Sequence, residues 1–354
     1  MKKKVLVYAL SGIGDALMFT PALQLMRKHL PDTQIDALVM FGGVKDIYER
    51  TGLFNSVIHF DFLKEGALKS LLFLSKLIGR YNYTINVYPS NRKEYNIISF
   101  LSLAKNRGAI SYIRKDKRNF GFLNSVRIEE KDNFHNVEEN ILLVRKMFNI
   151  KDYEENDLLF PLTENDENFA AGFLKRNALD EDELIIGFHA GCATLKNHIK
   201  RRWEPEKFIG LAKKLIKELN AKIILFGGPE EKELNESIIT GVNNSSIFIV
   251  DSNNLAESAA LIKKCAVMVT NDSSLMHVSA AMKRKVVAII GPTNSNYIYP
   301  WHTKHKIVSL NLDCSPCFFY SPKPLSCSRT DIQYKCIKEI DVERVFSAVK
   351  EFIG

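Results

Sequence analysis

Short apolar runs rich in β-branched residues alternate along the chain with longer segments in which apolar residues recur every three to four positions. The short runs predict buried parallel strands, and the longer segments predict amphipathic helices. In the first half we predict strands at 4–10, 35–40, 57–60, 83–88 and 108–111. The helices predicted in this half lie at 15–30, 68–78, 95–103 and 136–148, and a further helix after the second strand ends near residue 52.

The same alternation returns in the second half after a polar connection that contains one helix, 166–176. Predicted strands lie at 185–189, 222–226, 247–250, 267–270 and 286–290, with helices at 206–219, 230–239, 255–264 and 342–353. Repeated β–α units of this length favour doubly wound parallel sheets. We therefore predict two Rossmann-like α/β domains that face each other across a cleft. The predicted boundaries are 1–160, a connection at 161–183, 184–340 and a closing helix at 341–354.

The most informative stretch is 267–282, VMVTNDSSLMHVSAAM. Its apolar run breaks at a cluster of helix-capping residues, after which apolar residues follow helical spacing. A helix start carries unpaired N–H groups and partial positive charge, so Ser273 and Ser274 mark a candidate phosphate site. Asp272 follows the strand, and His277 lies one turn farther on. The alternative is an ordinary capped helix with a surface histidine.

Two glycine-containing turns also follow predicted strands. The first, Ser11-Gly12-Ile13-Gly14-Asp15, presents a carboxylate at a helix start, and Leu17 stands where a dinucleotide fingerprint needs its third glycine. The second ends at Gly191, and Lys200-Arg201-Arg202-Trp203 follows it. A cation there could reach a phosphate, or these could be solvated loop charges.

The net charge of +8 is concentrated in the first half, where 24 Lys and Arg up to residue 155 face 17 Asp and Glu. Such a surface favours phosphate-rich partners or an anionic membrane face, although a merely solvated face is an equal alternative. No nucleic-acid-binding motif is evident. No apolar run approaches the ~18 residues needed to cross a bilayer, and we expect a cytoplasmic protein. The basic residues cluster at Lys105, Arg107, Arg114, Lys115, Lys117 and Arg118.

Four of the six cysteines fall in a Pro- and Ser-rich loop at 314–336. The two-residue spacing of the first pair suggests a structural metal site, with zinc or iron as the candidates. The second pair is separated by eight residues instead of the usual two to four, which favours reduced structural thiols. The remaining two, Cys192 and Cys265, are scattered. The candidate metal ligands are Cys314, Cys317, Cys327 and Cys336.

The motifs together resemble those of family 9 glycosyltransferases, the lipopolysaccharide heptosyltransferases. Asp272-Ser273-Ser274 followed by His277 resembles the family's Asp-[Ser/Thr]-Gly-x-x-His signature, with Ser274 where the family usually has glycine. Gly14-Asp15 followed by Pro21-Ala22-Leu23 resembles its first turn. Arg201 stands at the cationic position of its Lys-x-Trp-Pro pattern, and Lys200 or Arg202 are alternatives. A Cys-Ser-Pro-Cys also recurs in many relatives.

This resemblance implies a two-domain GT-B fold and an inverting transferase that needs no metal cofactor for catalysis. It implies Asp15 as the general base, and it implies an acceptor site in the first domain, for which we name Gly14, Arg92 and Arg114. The donor, ADP-heptose or a related sugar nucleotide, is expected in the second domain. The implied donor contacts are Gly191, Arg201, Glu230 (or its neighbour Glu231), Asp272, Ser273, Ser274 and His277.

The expected acceptor is an anionic glycolipid, the lipopolysaccharide inner core, reached by peripheral contact with the inner membrane. Within the same fold the chain could use another sugar nucleotide, or a protein or capsular glycan as acceptor. It could also be an inactive nucleotide-binding protein. A nicotinamide-dependent oxidoreductase is disfavoured by the missing third glycine.

Overall fold

The computed structural model describes residues 3–90, 92–114, 117–180, 182–252, 254–319 and 324–353. The chain divides into two compact units, Met1–Pro161 and Leu162–Gly354. Each unit contains a six-stranded, wholly parallel sheet flanked by helices, which confirms the predicted α/β class. Of the basic residues singled out above, Lys115 lies outside the described residues.

The first unit carries β1–β6 and α1–α5. The strands are β1 Lys4–Ala9, β2 Gln34–Val39, β3 Ser56–His59, β4 Tyr83–Asn86, β5 Asn106–Ser111 and β6 Val126–Glu129. The helices are α1 Ile13–His29, α2 Gly42–Thr51, α3 Gly66–Ser75, α4 Lys93–Leu101 and α5 Asn136–Phe148.

The second unit carries β7–β12 and α6–α13. The strands are β7 Ile185–His189, β8 Lys222–Leu225, β9 Ile247–Ile249, β10 Val267–Asn271, β11 Lys285–Ile289 and β12 His305–Val308. The helices are α6 Glu164–Arg176, α7 Pro205–Leu219, α8 Lys232–Val242, α9 Leu255–Ile262, α10 Ser274–Ala281, α11 Ser295–Ile298, α12 Lys335–Lys338 and α13 Val342–Ile353.

Both sheets have the same strand order. The first runs β3-β2-β1-β4-β5-β6, and the second runs β9-β8-β7-β10-β11-β12. In each sheet the chain therefore reverses its direction of winding between two central strands, β1 and β4 in the first and β7 and β10 in the second. Ligands of open α/β sheets bind beyond the carboxyl ends of the strands at such a switch point.

Local sequence signals explain several helix boundaries. Reciprocal capping boxes start α5 at His135 and α6 at Thr163, and Pro205 occupies the first turn of α7. Asparagines in the left-handed conformation end three helices, because their short polar side chains tolerate that backbone. These are Asn149, Asn220 and Asn243.

Two strands, β6 and β12, were not predicted from the sequence. Both lie at sheet edges, and their exposed or half-buried residues break the apolar run that identifies a central strand. The central strands β7 and β10 are buried throughout, and the sequence motifs follow their carboxyl ends. Each fully buried Leu, Ile or Phe of this core contributes about 2 kcal/mol to folding. Within the described residues, no helix combines the length and apolar character required to cross a membrane.

Candidate functional site

The switch point of the second sheet brings two of the sequence motifs together. β7 and β10 are hydrogen-bonded neighbours, and their register pairs His189 with Thr270. Gly191 and Asp272 therefore follow the carboxyl ends of adjacent strands. Residues separated by about eighty positions in the chain thus meet at one edge of the sheet.

A buried asparagine fixes the third segment, the one that carries the cationic residues, against these strand ends. The Asn271 side-chain amide donates to the carbonyl of Ala190 at 2.7 Å, and its Oδ1 accepts from the Trp203 backbone N–H at 2.9 Å. The Trp203 indole N–H in turn donates to the Ile340 carbonyl at 2.8 Å. Because Asn271 is wholly buried, this clamp sets the position of the neighbouring arginines.

Asp272 and Arg201 form an ion pair that is largely shielded from solvent. The Arg201 Nη1 donates to the Asp272 Oδ2 at 2.5 Å, and the side chains are only 11% and 9% exposed. Thr293 donates its hydroxyl to the same Oδ2 at 2.6 Å. The Arg201 guanidinium also lies 5.5 Å from the Phe318 ring centroid, within the range of a cation–π contact. Asp272 therefore orients a cation at the edge of the sheet.

Arg202 and Lys200 occupy different environments from that of Arg201. Arg202 donates to the Cys192 carbonyl at 2.8 Å and lies 3.8 Å from the Glu231 carboxylate. Lys200 is exposed. Of the three candidate cations, Arg201 is thus the one paired with the aspartate of the 267–282 stretch.

A chain of three polar side chains, Glu231–His189–Ser273, runs beneath the start of α10. His189 Nε2 lies 3.3 Å from Glu231 Oε1, and its Nδ1 lies 2.8 Å from the Ser273 hydroxyl, which also contacts the Thr270 hydroxyl at 3.0 Å. Ser273 precedes α10, but its side chain makes no capping hydrogen bond. Ser273 therefore leaves the first N–H groups of α10 uncapped, and such groups can bind an anion.

Glu231 is half-buried, whereas the predicted donor contact Glu230 is exposed. Glu230 accepts a long hydrogen bond, 3.4 Å, from the Thr194 hydroxyl. Burial by itself raises the pKa of Glu231, but the contact with His189, the Gly228 N–H and the charge of Arg202 outweigh it and hold the pKa below its usual value. Glu231 therefore carries a negative charge near neutral pH.

Gly191 lies directly against the Glu231 carboxylate. A Cβ on residue 191 would lie 1.7 Å from Glu231 Oε1 and 2.2 Å from its Cδ. A side chain at this position would therefore displace the carboxylate from His189.

We expect Gly191→Ala to lower the free energy of unfolding by about 1–3 kcal/mol, because Glu231 loses its buried polar contacts. In a Glu231→Ala background the same change should cost less than about 0.5 kcal/mol, since the obstructing carboxylate is gone. Urea unfolding of the four proteins of this cycle measures the coupling. Equal costs in both backgrounds would show that Gly191 is needed for another reason.

Two histidines flank the ion pair, His277 buried and His198 half-buried. Burial lowers the pKa of His277 to about 4 against the opposing effect of Asp272. Burial, and next the charge of Arg201, lowers the pKa of His198 to about 4 as well. Both rings are therefore neutral at pH 7 and each carries one N–H donor.

Four buried polar atoms around the pair lack hydrogen-bond partners within the described part of the chain. Buried polar atoms are rarely left unpaired, and such a group concentrated at one sheet edge indicates a place where a polar ligand binds. The atoms are His198 Nε2, Arg201 Nε, Arg202 Nε and His277 Nδ1.

The switch point of the first sheet carries Gly14 and Asp15 in the first turn of α1. The preceding Ser11 donates its hydroxyl to the Pro89 carbonyl at 2.7 Å, which joins the loops that follow β1 and β4. Asp15 is half-buried, and its charge adds to burial in raising the pKa of Tyr48. The Asp15 carboxylate thus lies at the carboxyl edge of the sheet, close to buried phenols.

The other predicted acceptor residues lie after the adjacent strands of the same sheet. Arg92 precedes α4, after β4, and Arg114 follows β5. Arg114 forms a bidentate ion pair with Asp132, with N···O distances of 3.0 and 2.7 Å. Because the strands are parallel, the segments that carry Asp15, Arg92 and Arg114 follow strand ends at the same edge of the sheet.

Glu130 links two of these loops and was not identified from the sequence. Its carboxylate accepts from the Tyr88 hydroxyl at 2.6 Å and from the Ile113 N–H at 3.2 Å. Burial raises the pKa of Glu130 against these hydrogen bonds. Two residues of the basic cluster, by contrast, lie apart from each other. Arg107 donates to the Ala104 and Leu123 carbonyls near the start of β5, at the opposite edge from Arg114.

The predicted metal ligands line one pocket of about 230 Å³. Within the described residues, however, no group of three or more His, Cys, Asp or Glu is arranged to hold a metal ion, so the prediction of a metal site is not supported. The sulfurs have other partners. Cys314 Sγ accepts from Arg329 at 3.7 Å, and Cys327 Sγ accepts from the Tyr334 N–H at 3.3 Å. The four cysteines, Cys314, Cys317, Cys327 and Cys336, are free thiols.

Comparisons with known proteins identify the family of the chain. The sequence profile of glycosyltransferase family 9 (heptosyltransferase) matches residues 96–325. Lipooligosaccharide heptosyltransferase 2 of Campylobacter jejuni subsp. jejuni serotype O:6 is 26% identical over 98% of both chains. Lipopolysaccharide heptosyltransferase 2 of Escherichia coli K12 is 26% identical over 87% of this chain and 88% of its own length.

Similarity extends to a solved structure, that of E. coli ADP-heptose lps heptosyltransferase II. It superposes with a TM-score of 0.71 at 21% identity and covers 100% of this chain and 98% of its own, so the two share a fold. The profile spans most of the chain, including the β7 and β10 strand ends that carry the polar site. The chain belongs to glycosyltransferase family 9 and is a glycosyltransferase.

Proposed function

We propose that the protein transfers heptose from ADP-heptose to a hydroxyl of the lipopolysaccharide inner core. The observation that carries this proposal is the polar site at the carboxyl ends of β7 and β10. There the Arg201–Asp272 pair, the start of α10 and four unpartnered buried atoms converge. The names of the similar proteins support heptose as the sugar and lipopolysaccharide as the acceptor.

The diphosphate of the donor binds at the start of α10 and beside Arg201. The α10 N–H groups and partial positive charge suit a phosphate, and the guanidinium supplies a full charge in a largely buried setting. Neutral His277 donates its N–H to a phosphate oxygen. As the bond to the sugar breaks, these groups stabilise the negative charge that grows on the departing diphosphate.

Asp272 both orients Arg201 and accepts hydrogen bonds from hydroxyl groups of the donor sugar. A carboxylate has about four lone-pair directions, and Arg201 and Thr293 use only one of its two oxygens, Oδ2. Glu231 stays ionised beside Gly191, so it can accept from hydroxyls of the nucleoside. The exposed Glu230 is the alternative for that contact.

Asp15 acts as the general base. It removes the proton of the acceptor hydroxyl as the oxygen attacks the anomeric carbon from the face opposite the diphosphate, and the product has inverted configuration. Charge on the leaving diphosphate is balanced by Arg201 and α10, so the reaction needs no metal cofactor. Arg92 and Arg114 bind the phosphates of an anionic glycolipid acceptor, which the protein meets by peripheral contact with the membrane.

A nucleotide panel tests the donor assignment. ADP should raise the melting temperature more than UDP, GDP or NAD at equal concentration, because only the matching ligand binds the folded state tightly. Asp272→Asn should reduce the ADP shift, because Arg201 loses the partner that orients it. A larger shift with NAD would instead favour an oxidoreductase, and a larger shift with UDP or GDP would favour another sugar nucleotide.

A further inference from the structure

Helix α3 of the first unit is apolar and yet uncovered. Six of its ten residues are apolar, but none of the ten is buried. Leu68 is 73% exposed, Leu71 is 60% exposed and Leu72 is 59% exposed. Exposed leucines are ordinary when scattered, but three on one short helix form a patch that calls for a partner.

The exposed leucines share one face of α3. Positions 68, 71 and 72 follow the i, i+3, i+4 spacing of a helical stripe. The other face holds Phe73 and Leu74, which pack against the core beside the buried Leu77. The outward stripe is therefore not needed to complete the core of the unit.

Further exposed apolar residues lie after α3 and at the end of α4. The N–H of Gly79, after α3, donates to the Ser102 carbonyl at 2.9 Å and joins the two segments. Exposed apolar residues flank this contact on both sides. We name this set the α3 apolar surface; its members are Leu68, Leu71, Leu72, Ile78, Leu101 and Leu103.

Basic side chains border this surface. The charge of Lys64 is balanced by Asp61, with 3.8 Å between Nζ and Oδ2, and that of Lys69 by Glu65, with 2.9 Å between Nζ and Oε2. Three exposed cations remain that form no ion pair with any described residue, so the border has a net positive charge. They are Lys76, Arg80 and Lys105.

We propose that the α3 apolar surface docks the protein on a membrane that contains anionic lipids. The leucines insert at the boundary of head groups and acyl chains, and the lysines and Arg80 lie among the phosphates. A second copy of the chain fits less well, because a symmetric pair would bring two positive borders together. This inference rests on the proposed function only in that a glycolipid acceptor would be met at the same membrane.

Co-sedimentation with vesicles tests the proposal. The wild-type protein should bind phosphatidylglycerol–phosphatidylcholine vesicles, less at high salt, and should bind pure phosphatidylcholine vesicles only weakly. Leu68→Glu should lower the partition coefficient at least about tenfold, since it removes an inserting side chain and adds a repelled charge. The matched control is Ile332→Glu, which places the same charge at an exposed isoleucine of the second unit.

A second pair of variants tests the electrostatic contribution to vesicle binding. Lys69→Glu/Lys76→Glu should reduce binding about 20-fold or more, because each basic residue near an anionic surface contributes about fivefold. Lys213→Glu/Lys232→Glu makes the same change in net charge on exposed helices of the second unit and should bind like the wild type. Unchanged melting temperatures in all variants show that the fold is intact.

Binding by Leu68→Glu equal to that of the wild type would overturn the proposal, as would a wild-type protein that does not bind anionic vesicles. Self-association in sedimentation velocity that Leu68→Glu abolishes would assign the surface to a second copy instead. ADP titration and turnover on an acyl-free soluble oligosaccharide test the proposed function separately. Normal ADP binding and turnover without vesicle binding would overturn only the membrane-docking proposal. Vesicle binding without ADP binding or turnover would overturn only the proposed transferase function.

Discussion

Asp15→Asn should lower the turnover number by about 10²–10⁴-fold and leave the affinity for ADP within twofold of the wild type. The amide has the size of the carboxylate but cannot take the acceptor proton, and general-base catalysis is typically of this magnitude. ADP affinity should persist because the groups assigned to the diphosphate, Arg201 and the start of α10, belong to the second unit. Steady-state release of ADP and calorimetric titration of ADP measure the two quantities.

Asp46→Asn is the matched control for this variant. Asp46 lies on the neighbouring helix α2 of the same unit and pairs with Arg50 at 2.9 Å on the surface. It should leave both turnover and ADP affinity unchanged. Near-normal turnover in Asp15→Asn would remove the base assignment and leave the donor site in place.

Arg201→Met should lower turnover by about 10²–10³-fold, since it removes the cation that opposes charge on the departing diphosphate. It should also lower the free energy of unfolding by about 3 kcal/mol, because Asp272 is left largely buried without its counter-ion. Enzyme assays and urea unfolding separate the two effects. The same substitution at the exposed Lys200 should change turnover less than about threefold.

The double variant Arg201→Met/Asp272→Asn distinguishes a loss of turnover caused by the missing charges from one caused by lost stability. Neutralising both partners removes the unpaired buried charge, so most of the lost stability should return. Turnover should stay low, because the cation is still missing. Recovery of turnover together with stability would show that neither charge is needed for catalysis and that Arg201→Met loses turnover only through its lost stability.

Much of the fold was predictable, because central strands are recognised by their continuous apolar composition and helices by the spacing of their apolar residues. The apolar runs that became β7 and β10 and the capping residues at the start of α10 lie where they were predicted. The edge strands β6 and β12 were missed because a half-exposed strand lacks a continuous apolar run. The placement of Asp272 beside Gly191 follows from strand order, which a linear motif does not contain.

Within the site, the sequence identified residues next to turn motifs and missed those defined only by packing. Asn271, Thr293 and Glu130 carry no signature of their own, and each acts through a partner at least 17 positions away. The choice between Glu230 and Glu231 depended on a single 3₁₀ turn, Pro229–Glu231, which directs the second acid inward. The spacing of the cysteines at 314–336 suggested a metal site. Spacing alone cannot show which groups approach the sulfurs, and in the structure Arg329 approaches one of them.

The most direct test of the central claim is to incubate the wild-type protein with ADP-heptose and a heptose-acceptor glycolipid and to measure the mass of the product. The account predicts that the acceptor gains the mass of one heptose residue, that an equal amount of ADP is released, and that addition of a metal chelator changes neither. An acceptor of unchanged mass while ADP-heptose binds, or transfer that stops with the chelator and returns with added metal, would contradict it.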